Sequence, residues 1–345
     1  MTNSTCLPLQ PSLATSVALP VIYSLLFPAG SFGNILAVWI FSKAAPTKRT
    51  LYIYLRNLVA ANLFVCSTMP FLAAYFAKGY QWSYDSLECR IANYFGTVIM
   101  HVNMYVTITI LCSTALSQYA TLKKNSDTQY SQAVKENFHR CVLEKFRQPK
   151  FAKYLCIFIW LIVFCITLIA IIYNSQAWTA GQCHKCYNIG VEVGNLTTRI
   201  AASVATACFY VSFTMVLLSY YCLNKHLSRI QKTTCIDEKH LIYSTVRRNI
   251  FVIQMILAVC FLPYHIFRPI FYALLTNNDY PRVNYLVEIK NFLTCLAAMK
   301  SSLDPILFLL LDKTCKKCLY GLFPKSTPEH HECKDDTFTE ETPKM

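Results

Sequence analysis

A chain of 345 residues that is 54% hydrophobic and 14% charged is too apolar for a soluble globular domain, whose charged share is ~25%. Its net charge of +14 suits nucleic acid in principle, but the basic residues gather in alternate connections between apolar runs, a pattern of membrane orientation. Nucleic-acid binding is excluded on that placement, and anionic membrane lipid is the expected contact of the basic loops.

Residues 1–16 are polar and proline-bearing and read as an outer N-terminus with no removable signal peptide. Seven apolar stretches follow, roughly Val17–Phe41, Leu51–Phe76, Ile91–Ala120, Ala152–Tyr173, Ile200–Leu223, Ile250–Leu275 and Tyr285–Leu311. A spanning helix needs ~20 mainly apolar residues at about 1.5 Å each, so every stretch has the length to cross a bilayer. In lipid each backbone polar group must be satisfied within its own segment, which makes helices the default. The expected fold is an all-α membrane protein, a seven-transmembrane-helix bundle.

The connections orient it. Lys43, Lys48 and Arg49 follow the first stretch, Arg140, Lys145, Arg147 and Lys150 the third, Lys225, Arg229 and Arg248 the fifth, and Lys313, Lys316 and Lys317 the seventh. The other connections are thinly charged, which places the N-terminus outside and the C-terminus in the cytoplasm. The two glycosylation sequons, at Asn3 and Asn195, fall on the outer side of that arrangement. So do Cys6, Cys89, Cys183 and Cys186, which allow three pairings. A Cys89–Cys186 bridge would pin the long loop before the fifth stretch over the bundle mouth, leaving Cys6 with Cys183.

Ionisable residues within spans cost several kcal/mol to insert and mark function. In the sixth stretch His265 and Arg268 share a helical face just beyond Pro263, which removes a backbone hydrogen bond and bends the helix. In the seventh, Lys290 lies near the outer end. Arg268 and Lys290 admit two readings: snorkelling to the interface, or, together with His265, a cationic site for phosphate or carboxylate. Deeper in the seventh stretch, Lys300 and Asp304 are spaced to pair, with Pro305 making a second kink. Lys300 pointing into a watery cavity is the alternative.

These motifs resemble those of class A (rhodopsin-like) G-protein-coupled receptors over nearly the whole chain. The resemblance rests on Gly33-Asn34, the run Asn57-Leu58-Val59-Ala60-Ala61-Asn62-Leu63, Trp82 before Cys89, Trp160, Tyr220, Phe261-x-Pro263, and Asp304-Pro305-Ile306-Leu307-Phe308. Within that family His101 to Tyr105, Cys260 to Arg268 and Lys290 are similar to the purinergic-receptor-like branch. The resemblance implies a plasma-membrane receptor in which Tyr105, His265, Arg268 and Lys290 surround an anionic ligand, and which signals to a heterotrimeric G protein. Switch and coupling roles are implied for Asn62, Ser117, Gln118, Tyr119, Tyr220, Phe261, Pro263, Lys300, Asp304, Pro305 and Phe308. No cofactor, metal or enzymatic activity is implied.

The departures carry information too. Ser117-Gln118-Tyr119 stands where the family has Asp/Glu-Arg-Tyr, so the charge and five-donor fork of the arginine are missing. Asn62 replaces the sodium-binding carboxylate and Lys300 adds a cation to the same pocket. Sodium is therefore not expected, and Lys300 paired with Asp304 is expected to fill its place. Cys89 lies four residues further from Ser117-Gln118-Tyr119 than the family spacing, about one helical turn, so the bridge geometry survives. In the long connection after Thr121, Asn125-Ser126-Asp127 reads as a turn and the later basic and aromatic residues as a surface helix.

Residues 312–323 read as an amphipathic juxtamembrane helix with Cys315 and Cys318 as palmitoylation candidates, and residues 324–345 as a disordered tail. Three function classes compete. A receptor leads, either ligand-responsive or, because of Gln118, a constitutive or decoy form. A transporter would show repeated halves or a polar pathway, and an enzyme a nucleophile–base pair; neither is found.

Overall fold

The computed structural model describes residues 8–44, 50–127, 138–180, 184–233, 237–275 and 280–311. Each apolar stretch has become a long helical rod. A π-helical turn, Ala14–Ala18, leads into α1 (Leu19–Ala44), followed by α2 (Thr50–Lys78). The third rod is composite: α3 (Leu87–Ile91), a π-helical segment (Ala92–Val98) and α4 (Ile99–Asp127). A short helix α5 (Phe138–Arg147) precedes α6 (Pro149–Ala180), and a second short one, α7 (Ile189–Val193), precedes α8 (Leu196–Thr233). The chain continues as α9 (Asp237–Leu274) and α10 (Tyr280–Leu311).

Six rods among the described residues are long and apolar enough to cross a membrane. The seventh, α10, has 32 residues but carries Lys300 and Asp304 inside it, and those charges lower its apolarity. Neighbours run α1–α2, α2–α4, α4–α8, α8–α9, α9–α10 and α10–α1, closing a ring, with α6 against α2 and α4. Large apolar side chains such as Ile157, Leu161 and Phe164 of α6, and Val204, Val211 and Leu218 of α8, are exposed on the outside. A soluble protein rarely leaves so much contiguous apolar surface bare; a lipid-facing bundle does.

Helices approach closely where the sequence is small. A Cβ at Gly33 would meet Pro305 Cβ at 2.8 Å, so α1 and α10 touch there only because residue 33 has no side chain. Prolines within the helices leave carbonyls without their usual helical donor, and at Pro305 and Pro269 a side chain of a neighbouring helix supplies one. Asn34 Nδ2 on α1 donates to the Ser301 carbonyl, four residues before Pro305, at 2.9 Å. Tyr210 on α8 donates its hydroxyl to the His265 carbonyl, four residues before Pro269, at 3.1 Å.

One end of the bundle is covered by loops. Cys89 and Cys186 are joined by a disulfide with a Cα–Cα distance of 5.7 Å. Beside it Cys186 N donates to Trp82 O at 3.0 Å and Tyr187 N to Gly79 O at 3.2 Å, which lays residues 184–188 along the α2–α3 connection. A third layer is the N-terminal segment: Leu9 N donates to Tyr187 O at 3.0 Å, Ser12 N to Glu288 Oε1 at 2.6 Å, and the Tyr280 hydroxyl to the Pro8 carbonyl. Burial pushes the Tyr187 phenol pKa up, and the nearby Glu192 and Glu288 carboxylates push it further.

Local structure departs from the sequence reading at a few places. Asn125-Ser126-Asp127 is the last turn of α4 rather than a turn after it, because extending a formed helix by a residue is far easier than nucleating one. The same propagation carries α8 and α9 past their apolar runs. The extra residues between Cys89 and Ser117 pass through the π-helical segment, whose wider coil takes more residues per turn. The expected surface helix is α5, set against α4 and α6, with the Arg147 carbonyl accepting from Thr50 Oγ1 at 2.5 Å. Cys6, Cys183, Asn3, Cys315, Cys318 and residues 312–345 lie outside the described residues.

Candidate functional site

Two polar assemblies lie inside the ring. At the bridged end, α4, α9 and α10 bring Tyr105, His265, Arg268 and Lys290 into one neighbourhood, and the four differ sharply in their surroundings. Arg268 is half-buried; its Nη1 donates to the Tyr105 hydroxyl at 2.8 Å, and its guanidinium lies 5.4 Å from the Tyr264 ring centroid. Tyr272 also stands against it. Among the described residues no carboxylate pairs with Arg268. Its partners are aromatic rings and phenols, which hold a guanidinium without neutralising it.

His265 is fully buried and stacks on Phe209, with ring centroids 3.6 Å apart and planes at 12°. Its Nδ1 donates to the Phe261 carbonyl at 2.8 Å, while Nε2 meets no hydrogen-bond partner. The carbonyl partner fixes a proton on Nδ1. Tyr105 packs edge-on against it at 5.7 Å. One turn of α4 earlier, His101 donates from Nδ1 to the Thr97 carbonyl at 2.7 Å and accepts the Tyr264 hydroxyl at Nε2, 3.0 Å away.

Lys290 is neither snorkelling to the interface nor a bare cation of the site. Its ammonium lies 2.6 Å from Glu192 Oε2 and 2.7 Å from the Glu192 carbonyl, and 5.8 Å from the Phe271 ring centroid. The other carboxylate oxygen, Oε1, accepts the Tyr75 hydroxyl at 2.6 Å. Glu192 sits on α7, whose first turn is capped by Asn188 accepting from Val191 N at 2.9 Å, just past the disulfide at Cys186. The loop thus delivers a fixed carboxylate to Lys290. In the sequence Glu192 looks like one more charge of a thinly charged loop, and Tyr75 like a spanning aromatic. Residues 98 positions apart carry no periodic signal of contact.

The second assembly is deeper. Lys300 Nζ lies 2.5 Å from Asp304 Oδ2, and both side chains are nearly inaccessible, at 3% and 5%. The same carboxylate oxygen accepts from Asn62 Nδ2 at 2.9 Å, and Asn62 also reaches Asn34 Oδ1 at 3.3 Å. Phe261 covers the ammonium with its ring centroid 5.8 Å away. The residues of α1, α2, α9 and α10 therefore meet around one buried ion pair, which two charges in low dielectric require of their surroundings.

The remaining sequence-derived residues are spread along the bundle. Ser117 and Tyr220 are buried and Gln118 is half-buried on α4, at the end opposite the disulfide. Tyr119 keeps further contacts of its own. Pro263 lies inside α9 and Pro305 inside α10. Phe308 lies in α10, with its side chain outside the described set. Asn195 is exposed and caps α8, its Oδ1 accepting from Thr198 N at 2.9 Å. Trp160 Nε1 donates to Asn57 Oδ1 at 2.9 Å, tying α6 to α2.

Comparison with known proteins agrees with this architecture. The profile of the 7 transmembrane receptor (rhodopsin family) matches residues 33–308. The chain is 48% identical to the human "Probable G-protein coupled receptor 82" over 330 residues, 95% of this chain and 98% of that protein. It is 26% identical to the chimpanzee (Pan troglodytes) "Probable G-protein coupled receptor 34" over 323 residues, 93% of this chain and 79% of the other. It is 28% identical to a purinoceptor of Rattus norvegicus over 336 residues, 94% and 92% of the two chains. A profile that covers most of the chain, on a closed ring of long helices bridged from Cys89 to Cys186, means that this protein belongs to the rhodopsin-like seven-transmembrane G-protein-coupled receptors.

Proposed function

We propose that this receptor senses an anionic small molecule or lipid, bearing a phosphate or a carboxylate, at the bridged end of the bundle. The single observation that carries the reading is Arg268: a guanidinium held by Tyr105 and the Tyr264 ring, with no carboxylate partner among the described residues. A half-buried arginine without a counter-ion is a standing electrostatic strain, and a bidentate anion relieves it. His265, Tyr105 and Tyr264 supply the surrounding wall, and Lys290 stands close by with its own partner. In this proposal the bridged end faces outward and the Gln118 and Tyr220 end faces the cytoplasm and a heterotrimeric G protein, as the basic loops favour.

A G-protein activation assay on cells expressing the full chain tests it, with panels of phosphate- and carboxylate-bearing lipids and nucleotides applied to wild type and Arg268→Ala. An anionic agonist whose response vanishes in Arg268→Ala supports the site. A neutral agonist indifferent to that change would refute it.

A second reading, constitutive or decoy signalling, is favoured by Gln118. It stands where an arginine fork is expected to hold both the resting latch and the G protein, and an amide replaces neither the charge nor the fork. Basal G-protein activation without ligand, compared between wild type and Gln118→Arg, separates the two readings.

A further inference from the structure

The charges at the bridged end do not add up to a strongly positive pocket. Lys290 is matched by Glu192 at 2.6 Å, and the pair is well covered, with side-chain exposures of 17% and 6%. Both oxygens of the Glu192 carboxylate are in use: Oε2 takes the ammonium and Oε1 the Tyr75 hydroxyl. The Glu192 carbonyl takes the ammonium too, so backbone and side chain clamp it together. His101 and His265 each spend Nδ1 on a carbonyl of their own helix, and His101 Nε2 is taken up by the Tyr264 hydroxyl. Among the described residues that meet around Tyr105 and Tyr264, what is left is the guanidinium of Arg268.

From this we infer that Glu192 is a built-in counter-anion, tethered on α7, which cancels Lys290 and sets the site to accept a headgroup with one negative charge. The inference rests on the anion-site reading above and sharpens it. A dianionic or polyanionic headgroup reaching from Arg268 toward Lys290 would meet a buried carboxylate held in place. Like charges in a partly desolvated site repel strongly, and Glu192 has no room to swing away without abandoning Tyr75 and Lys290. A phosphodiester or a carboxylate satisfies Arg268 alone and leaves the clamp intact. Selection by exclusion of this kind depends on a repulsive element as much as on an attractive one. The disulfide at Cys186 and the Asn188 cap hold α7 where that element is needed.

The shared chemistry, one negative charge, can come from a lipid or from a water-soluble metabolite, and the probes separate them. Full-length receptor purified in detergent is measured for thermal stabilisation by three compounds. These are oleoyl lysophosphatidylglycerol, a phosphodiester with one charge; oleoyl lysophosphatidic acid, a monoester with nearly two; and ADP, a nucleotide polyanion. Wild type is expected to be stabilised at lower concentration by the phosphodiester than by the monoester, and not by ADP. In Glu192→Gln the amide oxygen can still accept from Lys290 while the amide NH2 donates to a turned Tyr75 hydroxyl. The packing is kept and the Lys290 charge is freed, so the preference should swing by about tenfold toward the monoester. Glu192→Gln combined with Lys290→Gln should lose that swing, and the ligand-free melting transition of each variant is the control that it folds. If stabilisation depends on Arg268 but the ratio is the same in wild type and Glu192→Gln, the counter-anion is overturned and the anion site stands. ADP stabilising wild type as well as the phosphodiester does overturns it equally. No Arg268-dependent stabilisation by any of the three compounds removes the anion site and the counter-anion together.

Discussion

Asn34 on α1 donates an amide proton to the Ser301 carbonyl on α10 at 2.9 Å, the carbonyl that Pro305 leaves without its helical donor. The two helices also touch at Gly33 and Pro305, so the bond sits in a close, buried contact. Asn34→Ala should therefore destabilise the receptor by about 1–3 kcal/mol, the penalty of orphaning a buried acceptor. In a Pro305→Ala background the alanine N–H can serve Ser301, and the same Asn34→Ala change should be clearly milder. Thermal unfolding of the four detergent-purified proteins gives the coupling. Equal losses in both backgrounds would show that the proline has nothing to do with the bond.

The buried ion pair makes a different kind of demand. Lys300→Ala leaves the Asp304 carboxylate, 5% exposed, with the Asn62 amide as its hydrogen-bond donor among the described residues, and removing one partner of a buried pair typically costs about 3–5 kcal/mol. Lys300→Ala with Asp304→Asn removes the orphaned charge and should recover much of that loss. The check is again the melting temperature in detergent. A single variant as stable as wild type would overturn the pairing of Lys300 with Asp304 as a source of stability.

Lys300 and Asp304 are legible as neighbours in the sequence because they are one helical turn apart on the same span, and the pitch of the helix fixes their distance. The long rods are legible for a related reason: an apolar run of spanning length has one way to satisfy its amides. Contacts between distant segments follow no such rule. Glu192 is 98 residues from Lys290, and no spacing announces that α7 turns its carboxylate inward. The N-terminal strap is equally hidden, because Leu9 reaching Tyr187 and Ser12 reaching Glu288 depend on loops folded over the bundle. Pro269 signals that the His265 carbonyl needs an outside donor, but nothing in the sequence says that Tyr210 on α8 supplies it.

The disulfide holds the loop that carries Glu192, which makes its removal testable at the cell surface. Cys89→Ala and Cys186→Ala should each reduce surface expression sharply, since closing a long loop is typically worth about 2–4 kcal/mol. The double variant should be no worse than either single one, because both remove the same bond. Additive losses, read by labelling an epitope at the N-terminus of intact cells, would mean that each cysteine has separate work to do.

Arg268 is where the functional reading stands or falls. Its neighbours, the Tyr105 hydroxyl and the Tyr264 ring, orient the guanidinium without cancelling its charge. Arg268→Ala should therefore weaken an anionic ligand by about 10–100-fold, the range expected when a charge-assisted hydrogen bond is lost. Arg268→Lys should fall between that and wild type, because lysine keeps the charge but not the planar fork. Lys290→Ala should behave differently from both. It strips the buried Glu192 of its counter-ion, so receptor stability should drop along with affinity, and Glu192→Gln in the same chain should restore the stability. Raising the salt concentration should weaken binding to wild type and to Arg268→Lys, and matter least in Arg268→Ala. The measurement is ligand binding across these variants as ionic strength is raised. Affinity that ignores both Arg268→Ala and salt would place the ligand elsewhere in the bundle, while leaving the fold and the Lys300–Asp304 pair untouched.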